Sequence, residues 1–130
     1  MSTLKIDTIL HSSGSTTTEP SIPALDQRMA KAWVNFNGVG TVAVRDSYNV
    51  SSVTDNGTGA YAVNYAVAMD NANYSAVSCC GNGASSAFTN RNSGVNSRTV
   101  SLANVSVWTI SSNTASDLDQ ISFQVLGGQA

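Results

Sequence analysis

The sequence predicts an all-β protein: an antiparallel β-sandwich or jelly-roll-like domain preceded by a short extended N-terminal arm. Ser, Thr, Asn and Gly supply 55 of the 130 residues, which is typical of turns and of uncharged strand faces. Several short segments also alternate large apolar residues with small or polar ones, as half-buried strands do. We place the arm and linker at residues 1–30 and the β-sandwich domain at residues 31–130.

The arm begins with one strand-like stretch, Leu4–Leu10. A polar run, His11–Thr18, and two prolines, Pro20 and Pro23, separate this stretch from the domain. Residues 25–31 fit either one helical turn or an extended connector. The sequence therefore predicts an arm and a linker rather than a part of the core.

The first two strands of the domain are predicted on either side of Gly38–Gly40. In the earlier strand, Val34 and Phe36 share one face. Trp33 and Asn35 share the other face. The strand thus has an apolar side for the core and a second side that carries an indole and an amide.

The clearest predicted strand is Ala60–Met69, in which a face of small residues alternates with a face of large ones. The large face carries Tyr61, Val63, Tyr65, Val67 and Met69. Residues 55–59, D-N-G-T-G, tolerate the positive φ angles of a hairpin turn, so Val50–Thr54 is the expected partner strand. Further strands are predicted at Tyr74–Cys80, Arg98–Leu102, Val105–Ile110 and Ile121–Leu126. About eight short strands at this spacing indicate a sandwich or jelly roll.

The charge and the apolar composition limit the function classes. A net charge of −2 with 11% charged residues lacks both the basic balance of a nucleic-acid binder and the charge excess of a disordered chain. Val, Ile, Leu and Phe together number 28, a small supply for the core of a lone domain, and oligomerisation would relieve that shortage.

Targeting signals and cysteines give further expectations. No apolar run approaches the roughly 20 residues that span a bilayer. The N-terminus also lacks the layout of a secretory signal, so we expect an unprocessed chain without membrane insertion. Cys79 and Cys80 are adjacent and would point to opposite faces of a strand, where a bridge between them would be strained. We expect two free thiols, buried or half-buried.

The sequence shows no catalytic constellation, and we expect no enzyme activity, no cofactor and no metal site. His11 is the only histidine and lies beside the flexible arm. Asp117 and Asp119 invite comparison with a carboxylate pair or a calcium site, but no third acidic ligand accompanies them, and we interpret them as turn residues. Gly38–Gly40 and Gly57–Gly59 join no strand to a helix and are interpreted as turn glycines.

The aromatic residues are compatible with carbohydrate binding, since an aromatic ring can stack on the apolar face of a sugar. The candidates are Trp33, Trp108 and the four tyrosines. Tyr61 and Tyr65 alternate with valines on one strand face, so core packing is the favoured interpretation for these two.

One long segment resembles a known family. The run Lys31–Gly38 (KAWVNFNG), followed by Thr41–Gly59 (TVAVRDSYNVSSVTDNGTG), is similar to a segment that recurs in bacteriophage tail fibre proteins. That segment reads A-W-V-N-F-N-G, then R-D-S-x-N-V-S-S, then D-N-G-T-G, and Tyr61–Asn73 is similar to its strand-forming end. The opening Ser2–Ile9 resembles the start of small fibre-like phage proteins, so the similarity covers most of residues 1–75.

The resemblance implies a virion structural protein, usually homotrimeric, made in the cytoplasm of a bacterial host. We expect a tail fibre or tail-tip protein that presents its β domain to the host surface. The arm would dock into a neighbouring tail or capsid protein by adding a strand. The docking candidates are Leu4, Ile6, Ile9 and Leu10. Because the chain lacks the long shaft of most fibres, a capsid decoration protein stays open as the alternative, and a free carbohydrate-binding module is a third hypothesis.

The surface expected to meet the host is Gly81–Ser97, which is interpreted as an exposed loop with room for a short strand around Phe88. Its amides suit hydrogen bonds with sugar hydroxyls, and its arginine would add a charge-assisted bond to an acidic glycan or a lipopolysaccharide phosphate. The receptor-contact candidates are Asn90, Arg91 and Asn92. A solvated connector without a partner is the open alternative.

Overall fold

A computed structural model describes residues 8–10, 12–14, 28–81, 83 and 90–127. Within these residues the chain forms nine β-strands and no helix. The strands are β1 (Ala30–Asn37), β2 (Ala43–Tyr48), β3 (Val50–Asp55), β4 (Ala60–Tyr65), β5 (Ser75–Gly81), β6 (Arg91–Arg98), β7 (Leu102–Thr109), β8 (Thr114–Ala115) and β9 (Gln120–Leu126). The described part of the chain therefore holds no helix that could cross a membrane.

The strands pair into two antiparallel sheets. Sheet A has four strands in the order β2-β1-β9-β5. Sheet B has the order β3-β4-β7-β6, and the short β8 pairs with the end of β7. The two sheets enclose a common core, which confirms the predicted antiparallel β-sandwich.

The hydrophobic core is built from alternate residues of the central strands. Sheet A contributes Ala32, Val34, Phe36, Ile121, Phe123 and Val125, and sheet B contributes Tyr61, Val63, Tyr65, Ala103, Val105 and Val107. The rings of Phe36 and Tyr61 meet edge to face with centroids 5.1 Å apart. The period-two pattern of the sequence thus appears directly as an inner and an outer face on each sheet.

The buried tyrosine hydroxyls have partners, as buried polar groups require. The Tyr65 hydroxyl donates to the Tyr74 hydroxyl at 3.0 Å. The Tyr74 hydroxyl in turn donates to backbone carbonyls of Thr99 and Leu102 at 3.0 and 3.2 Å. This chain of hydrogen bonds joins β4 to the β6–β7 turn.

The hairpin predicted at residues 55–59 is present between β3 and β4. Asn56 N–H donates to the Ala60 carbonyl and Ala60 N–H donates to the Gly57 carbonyl, each at 2.9 Å. Gly57 and Gly59 both have positive φ, at 119° and 64°. The two glycines therefore adopt the positive φ angles that the sequence predicted for this turn.

β4 is shorter than predicted, because it ends at Tyr65 rather than Met69. Beyond Tyr65, the side chain of Asn49 bonds to the backbone of Val67 in place of a neighbouring strand. Its Oδ1 accepts from Val67 N–H at 2.7 Å, and its Nδ2 donates to the Val67 carbonyl at 3.1 Å. Val67 is 70% exposed as a result, while Met69 returns to the core at 5%. A side-chain bond of this kind competes with the sheet ladder.

Two other strand predictions on sheet B are wrong. Residues 91–97 were expected in an exposed loop, but they belong to β6. Residues 98–102 were expected to form a strand, but Arg98 ends β6 and the chain then turns into β7. Thr99 Oγ1 accepts hydrogen bonds from the backbone N–H groups of Ser101 and Leu102 at 3.2 and 3.1 Å, which stabilises that turn.

β7 has two successive partners along one side. β4 pairs with its first half and β8 with its end. Gly59 lies at the junction: its carbonyl accepts from Val107 N–H at 2.8 Å, and an added Cβ would lie 2.3 Å from the Val107 oxygen. Asp117 closes the junction, since its Oδ1 accepts from Gly59 N–H at 2.7 Å and from the Tyr61 hydroxyl at 2.8 Å.

Candidate functional site

The outer face of sheet A carries a hollow of about 410 Å³. Its walls are outward side chains of the three adjacent strands β1, β9 and β5: Trp33, Asn35, Ser122, Gln124, Val77 and Cys79. A hollow of this volume is in the range of small-molecule sites. We call these six residues the sheet A hollow.

Strand register explains how these residues come together. Trp33 lies opposite Gln124, and Gln124 lies opposite Val77. Asn35 lies opposite Ser122, which forms a second row. The two rows are neighbours on one sheet face because side chains two positions apart share that face.

The polar groups of the hollow are held in place. Asn35 Nδ2 donates to Ser122 Oγ at 2.9 Å. Arg45 Nη1 donates to Asn35 Oδ1 and to the Phe36 carbonyl, both at 3.3 Å. The amide of Asn35 is therefore oriented before any ligand arrives, and such ordering lowers the entropy cost of binding.

The hollow has the chemistry of a neutral sugar site. Trp33 is half-buried and Val77 is 52% exposed, so together they offer an indole and an aliphatic surface. Gln124 and Asn35 supply amides, and Ser122 supplies a hydroxyl. None of the lining residues is charged. An apolar wall beside uncharged donors and acceptors fits a ring that has an apolar C–H face and several hydroxyls.

The predicted receptor residues Asn90, Arg91 and Asn92 do not share one surface. Arg91 opens β6, is half-buried, and its guanidinium donates to the hydroxyl of Thr109. Asn92 is exposed, and its Oδ1 accepts from the backbone N–H of Ser93 at 2.8 Å. Because adjacent strand residues point to opposite faces, a single ligand cannot engage both side chains as a loop would allow.

The arm candidates fall partly outside the described residues. Leu4 and Ile6 lie outside them, as do His11 and Phe88. Ile9 and Leu10 are described, and they are 55% and 47% exposed. Their docking role stays a prediction.

The two thiols differ in their surroundings. Cys80 points inward and is half-buried, and burial raises the pKa of its thiol. Cys79 is exposed in the sheet A hollow, so the expectation of a buried or half-buried thiol is wrong for it. The reason is its outward position on a strand at the edge of the sheet.

The two carboxylates of the last connection have backbone partners. Asp117 bonds to the β4 junction, and Asp119 accepts from Gly83 N–H at 2.9 Å. Among the described residues no cluster of three or more His, Cys, Asp or Glu side chains could hold a metal. Both aspartates therefore organise backbone, which extends their interpretation as turn residues.

Sequence reasoning found two of the six residues of the sheet A hollow. It placed Trp33 and Asn35 on one strand face, and it named Trp33 as a candidate for stacking on a sugar. It also placed Tyr61 and Tyr65 in the core, which is confirmed at 1% and 7% exposure. The other four, Ser122, Gln124, Val77 and Cys79, were not found as site residues, because nothing local in the sequence shows that β9 lies beside β1 and that β5 lies beside β9.

Comparisons with known proteins found no relative of this chain. No protein-family model matches the chain, and no curated protein or solved structure is significantly similar to it.

Proposed function

We propose that this chain is a structural protein of a bacteriophage particle, a homotrimeric tail fibre or tail-tip protein that docks by its N-terminal arm and presents its β domain to the host surface. The observation that carries the proposal is the sheet A hollow, an ordered and uncharged site suited to a neutral sugar on that surface. The resemblance of residues 31–73 to tail fibre proteins agrees with it.

The segment that carries the resemblance builds both scaffold and site. Residues 31–38 form most of β1, where Val34 and Phe36 enter the core. Trp33 and Asn35, from the same A-W-V-N-F-N-G run, line the hollow. One short run thus supplies the buried side of a central strand and the stacking side of the proposed site.

The binding test uses the purified full-length protein on an array of neutral and acidic glycans. We expect binding to neutral glycans, and a loss of affinity of about two- to tenfold for Trp33→Ala, since one aromatic contact contributes roughly 0.5–1.5 kcal/mol. Trp108→Ala is the matched control, because Trp108 is also a half-buried indole but lies on sheet B.

The same variants test attachment in the phage. Trp33→Ala should reduce adsorption to host cells while particle assembly continues, and Trp108→Ala should adsorb normally. A triple variant, Asn90→Ala with Arg91→Ala and Asn92→Ala, tests residues 90–92 after circular dichroism has shown that it is folded, because Arg91 also bonds to Thr109. If that variant lost adsorption while Trp33→Ala kept it, the contact would lie on β6 and the hollow would not be the site.

Virion composition tests the structural role itself. Mass spectrometry of purified particles should find the chain at the level of a few trimers per particle. A copy number near that of the major capsid protein would favour the capsid decoration alternative. Absence from purified particles would contradict both virion roles and favour a free carbohydrate-binding module.

A further inference from the structure

A relay of hydrogen bonds leads from β2 into the sheet A hollow. Arg45 Nη1 donates to Asn35 Oδ1 at 3.3 Å, and Asn35 Nδ2 donates to Ser122 Oγ at 2.9 Å. Asn35 and Ser122 lie opposite each other on β1 and β9, and both line the hollow. Ser122 is therefore the member of the relay that a ligand in the hollow would meet.

Arg45 reaches the relay because it is the extra residue of a bulge in β2. Asp46 lies opposite Asn35. Val44 lies opposite Phe36, so Arg45 falls between the two pairs. A bulge redirects the side chain of its extra residue. Here the guanidinium also donates to the Phe36 carbonyl at 3.3 Å, which gives it two acceptors on β1.

The arginine fixes the direction of the whole relay. A guanidinium has donors and no acceptor, so the amide atom that faces it is the oxygen of Asn35. The amide nitrogen then faces Ser122 and donates to its hydroxyl. Within the described residues this is the only hydrogen bond of that hydroxyl, so its own hydrogen is left for a ligand. Without Arg45 the amide could turn over and take that hydrogen itself.

The charge of Arg45 also makes Ser122 a stronger donor. Hydrogen bonds in a series polarise one another, and a bond that begins at a cation is of the stronger kind. A hydroxyl at the end of such a series becomes a better donor and a poorer acceptor. A carbonyl oxygen, which only accepts, therefore gains more from this hydroxyl than a sugar hydroxyl does.

We propose that the sheet A hollow selects an N-acetylated sugar, whose acetamido carbonyl accepts a hydrogen bond from Ser122 Oγ. Arg45 is the positioning residue for this contact, because it acts through the amide of Asn35. The inference rests on the sugar site of the proposed function and names the kind of sugar that this site takes.

The rest of the hollow suits an acetamido group. On β9, Ser122 lies opposite Cys79, and Gln124 lies opposite Val77. A thiol behaves as a small apolar group, so these two residues of β5 can cover the acetyl methyl. The exposed amide of Gln124 can accept from the acetamido N–H. Trp33, which lies on the other side of Gln124, is left for the sugar ring.

The surroundings disfavour a carboxylate, which also only accepts. None of the residues that line the hollow is charged. Asp46 lies opposite Asn35 and so shares its sheet face, where its carboxylate offsets the charge of Arg45. A neutral carbonyl accepts the same hydrogen bond without repulsion from that carboxylate.

The test compares sugars that differ only in the acetamido group, by calorimetric titration of the full-length protein. Diacetylchitobiose is paired with cellobiose, and N-acetylgalactosamine is paired with galactose. In each pair the first sugar has an acetamido group where the second has a hydroxyl. We expect the acetamido member to bind about two- to tenfold more tightly, which is the contribution of one hydrogen bond between neutral groups.

Three variants test the relay, and the readout is the ratio of the two affinities, because a merely structural defect would weaken both sugars alike. Ser122→Ala removes the terminal donor, and Arg45→Met removes the guanidinium. Asn35→Asp keeps the shape but supplies a carboxylate, which has no hydrogen to donate and takes that of Ser122. Each variant should bring the ratio close to one.

Arg98→Met is the matched control, because Arg98 lies on sheet B and donates to the Tyr74 carbonyl at 3.5 Å. It should keep the ratio of the wild type. Circular dichroism checks that every variant is folded.

The outcomes separate this inference from the proposed function. Equal affinity of the wild type for both members of each pair would overturn the inference and leave the sugar site standing. Binding to no neutral glycan would overturn the site and the inference together. A preference that survived Ser122→Ala would place the carbonyl elsewhere, and one that survived Arg45→Met would remove the positioning role of Arg45. Tighter binding of a uronic acid would mean that the hollow selects a carboxylate.

Discussion

Tyr61 and Asp117 are joined by a hydrogen bond of 2.8 Å from the phenol hydroxyl to carboxylate Oδ1, across 56 positions of sequence. The same oxygen accepts from Gly59 N–H at 2.7 Å. One carboxylate thus ties the start of β4 to the connection before β9. The sequence predicted only a turn residue at this position, whereas the carboxylate holds the junction of β4 and β8 together.

Replacing this carboxylate should destabilise the domain. We expect Asp117→Ala to lower the free energy of unfolding by about 1–3 kcal/mol, because it leaves the Gly59 N–H without its acceptor and leaves the Tyr61 hydroxyl only the longer bond to the Gly38 carbonyl at 3.2 Å. Asp119→Ala is the comparison, since that carboxylate bonds to the exposed Gly83 N–H and should matter less. Urea unfolding measures both, and equal effects would contradict the assignment.

Glycine at position 59 should be irreplaceable where glycine at position 40 is not. Both have similar positive φ, 64° and 68°, so alanine strains the backbone equally, by about 1 kcal/mol or more. Only at Gly59 would the added Cβ also meet backbone, 2.3 Å from the Val107 oxygen, whereas Gly40 has open space. Gly59→Ala should therefore unfold at clearly lower urea than Gly40→Ala, and matching midpoints would refute the steric argument.

Alkaline pH should destabilise the fold through its buried tyrosines. Burial, together with the Asp117 carboxylate at Tyr61 and the Tyr74 hydroxyl at Tyr65, raises the pKa of both phenols above the ordinary value of about 10. Above about pH 10 the unfolded chain loses protons that the folded chain keeps, so the contribution of these two phenols to stability is constant below that pH and falls above it. Unfolding midpoints between pH 8 and 11 measure the slope, which should be shallower in Tyr61→Phe and Tyr65→Phe.

Arg91 should contribute to stability and Asn92 should not. Arg91 is half-buried and bonds across β6–β7 to Thr109, so Arg91→Ala removes a charge-assisted hydrogen bond and the packing of its stem. We expect a loss of about 1–2 kcal/mol on this account. Asn92→Ala changes an exposed side chain and should stay within about 0.5 kcal/mol. The reverse ranking in urea unfolding would mean that Arg91 faces solvent.

The adjacent thiols should react at different rates. Cys79 is exposed, while burial raises the pKa of the Cys80 thiol and lowers its thiolate fraction. A thiol-specific chromogenic reagent at pH 8 should titrate one group rapidly in the native protein and two in urea. Cys79→Ser should abolish the fast phase, and persistence of that phase would place the reactive thiol at position 80.

The sequence was most informative where local patterns decide structure. Alternation in β1 and β4 identified core residues such as Val34 and Tyr61, and the D-N-G-T-G run identified a hairpin. β6 escaped detection because its eight residues contain one aliphatic side chain, Val95, and no alternation. A strand of this composition is held by its partner β7, so its sequence alone resembles a loop.

The sheet A hollow shows the complementary difficulty. Trp33 and Asn35 were visible on one strand, but Ser122 is 87 positions away from the Asn35 amide that bonds to it. Pairings between distant strands leave no local signal, because any half-buried strand with the right alternation could occupy the position beside β1. The bulges at the sheet edges are equally hidden, since Arg45 and Ser51 are ordinary strand residues until their partners are known.

The pairing of β1 with β9 has a consequence for folding during synthesis. These two strands form the centre of sheet A, yet β9 is the last strand of the domain to be synthesised. By then all strands of sheet B have been translated, whereas β5 has no partner in sheet A until β9 is made. The core residues that β9 supplies, Ile121, Phe123 and Val125, are therefore missing until translation reaches β9. The pairing of β9 with β1 and β5 is therefore a late, non-local step, which makes folding slow and leaves the chain prone to aggregation until β9 has paired.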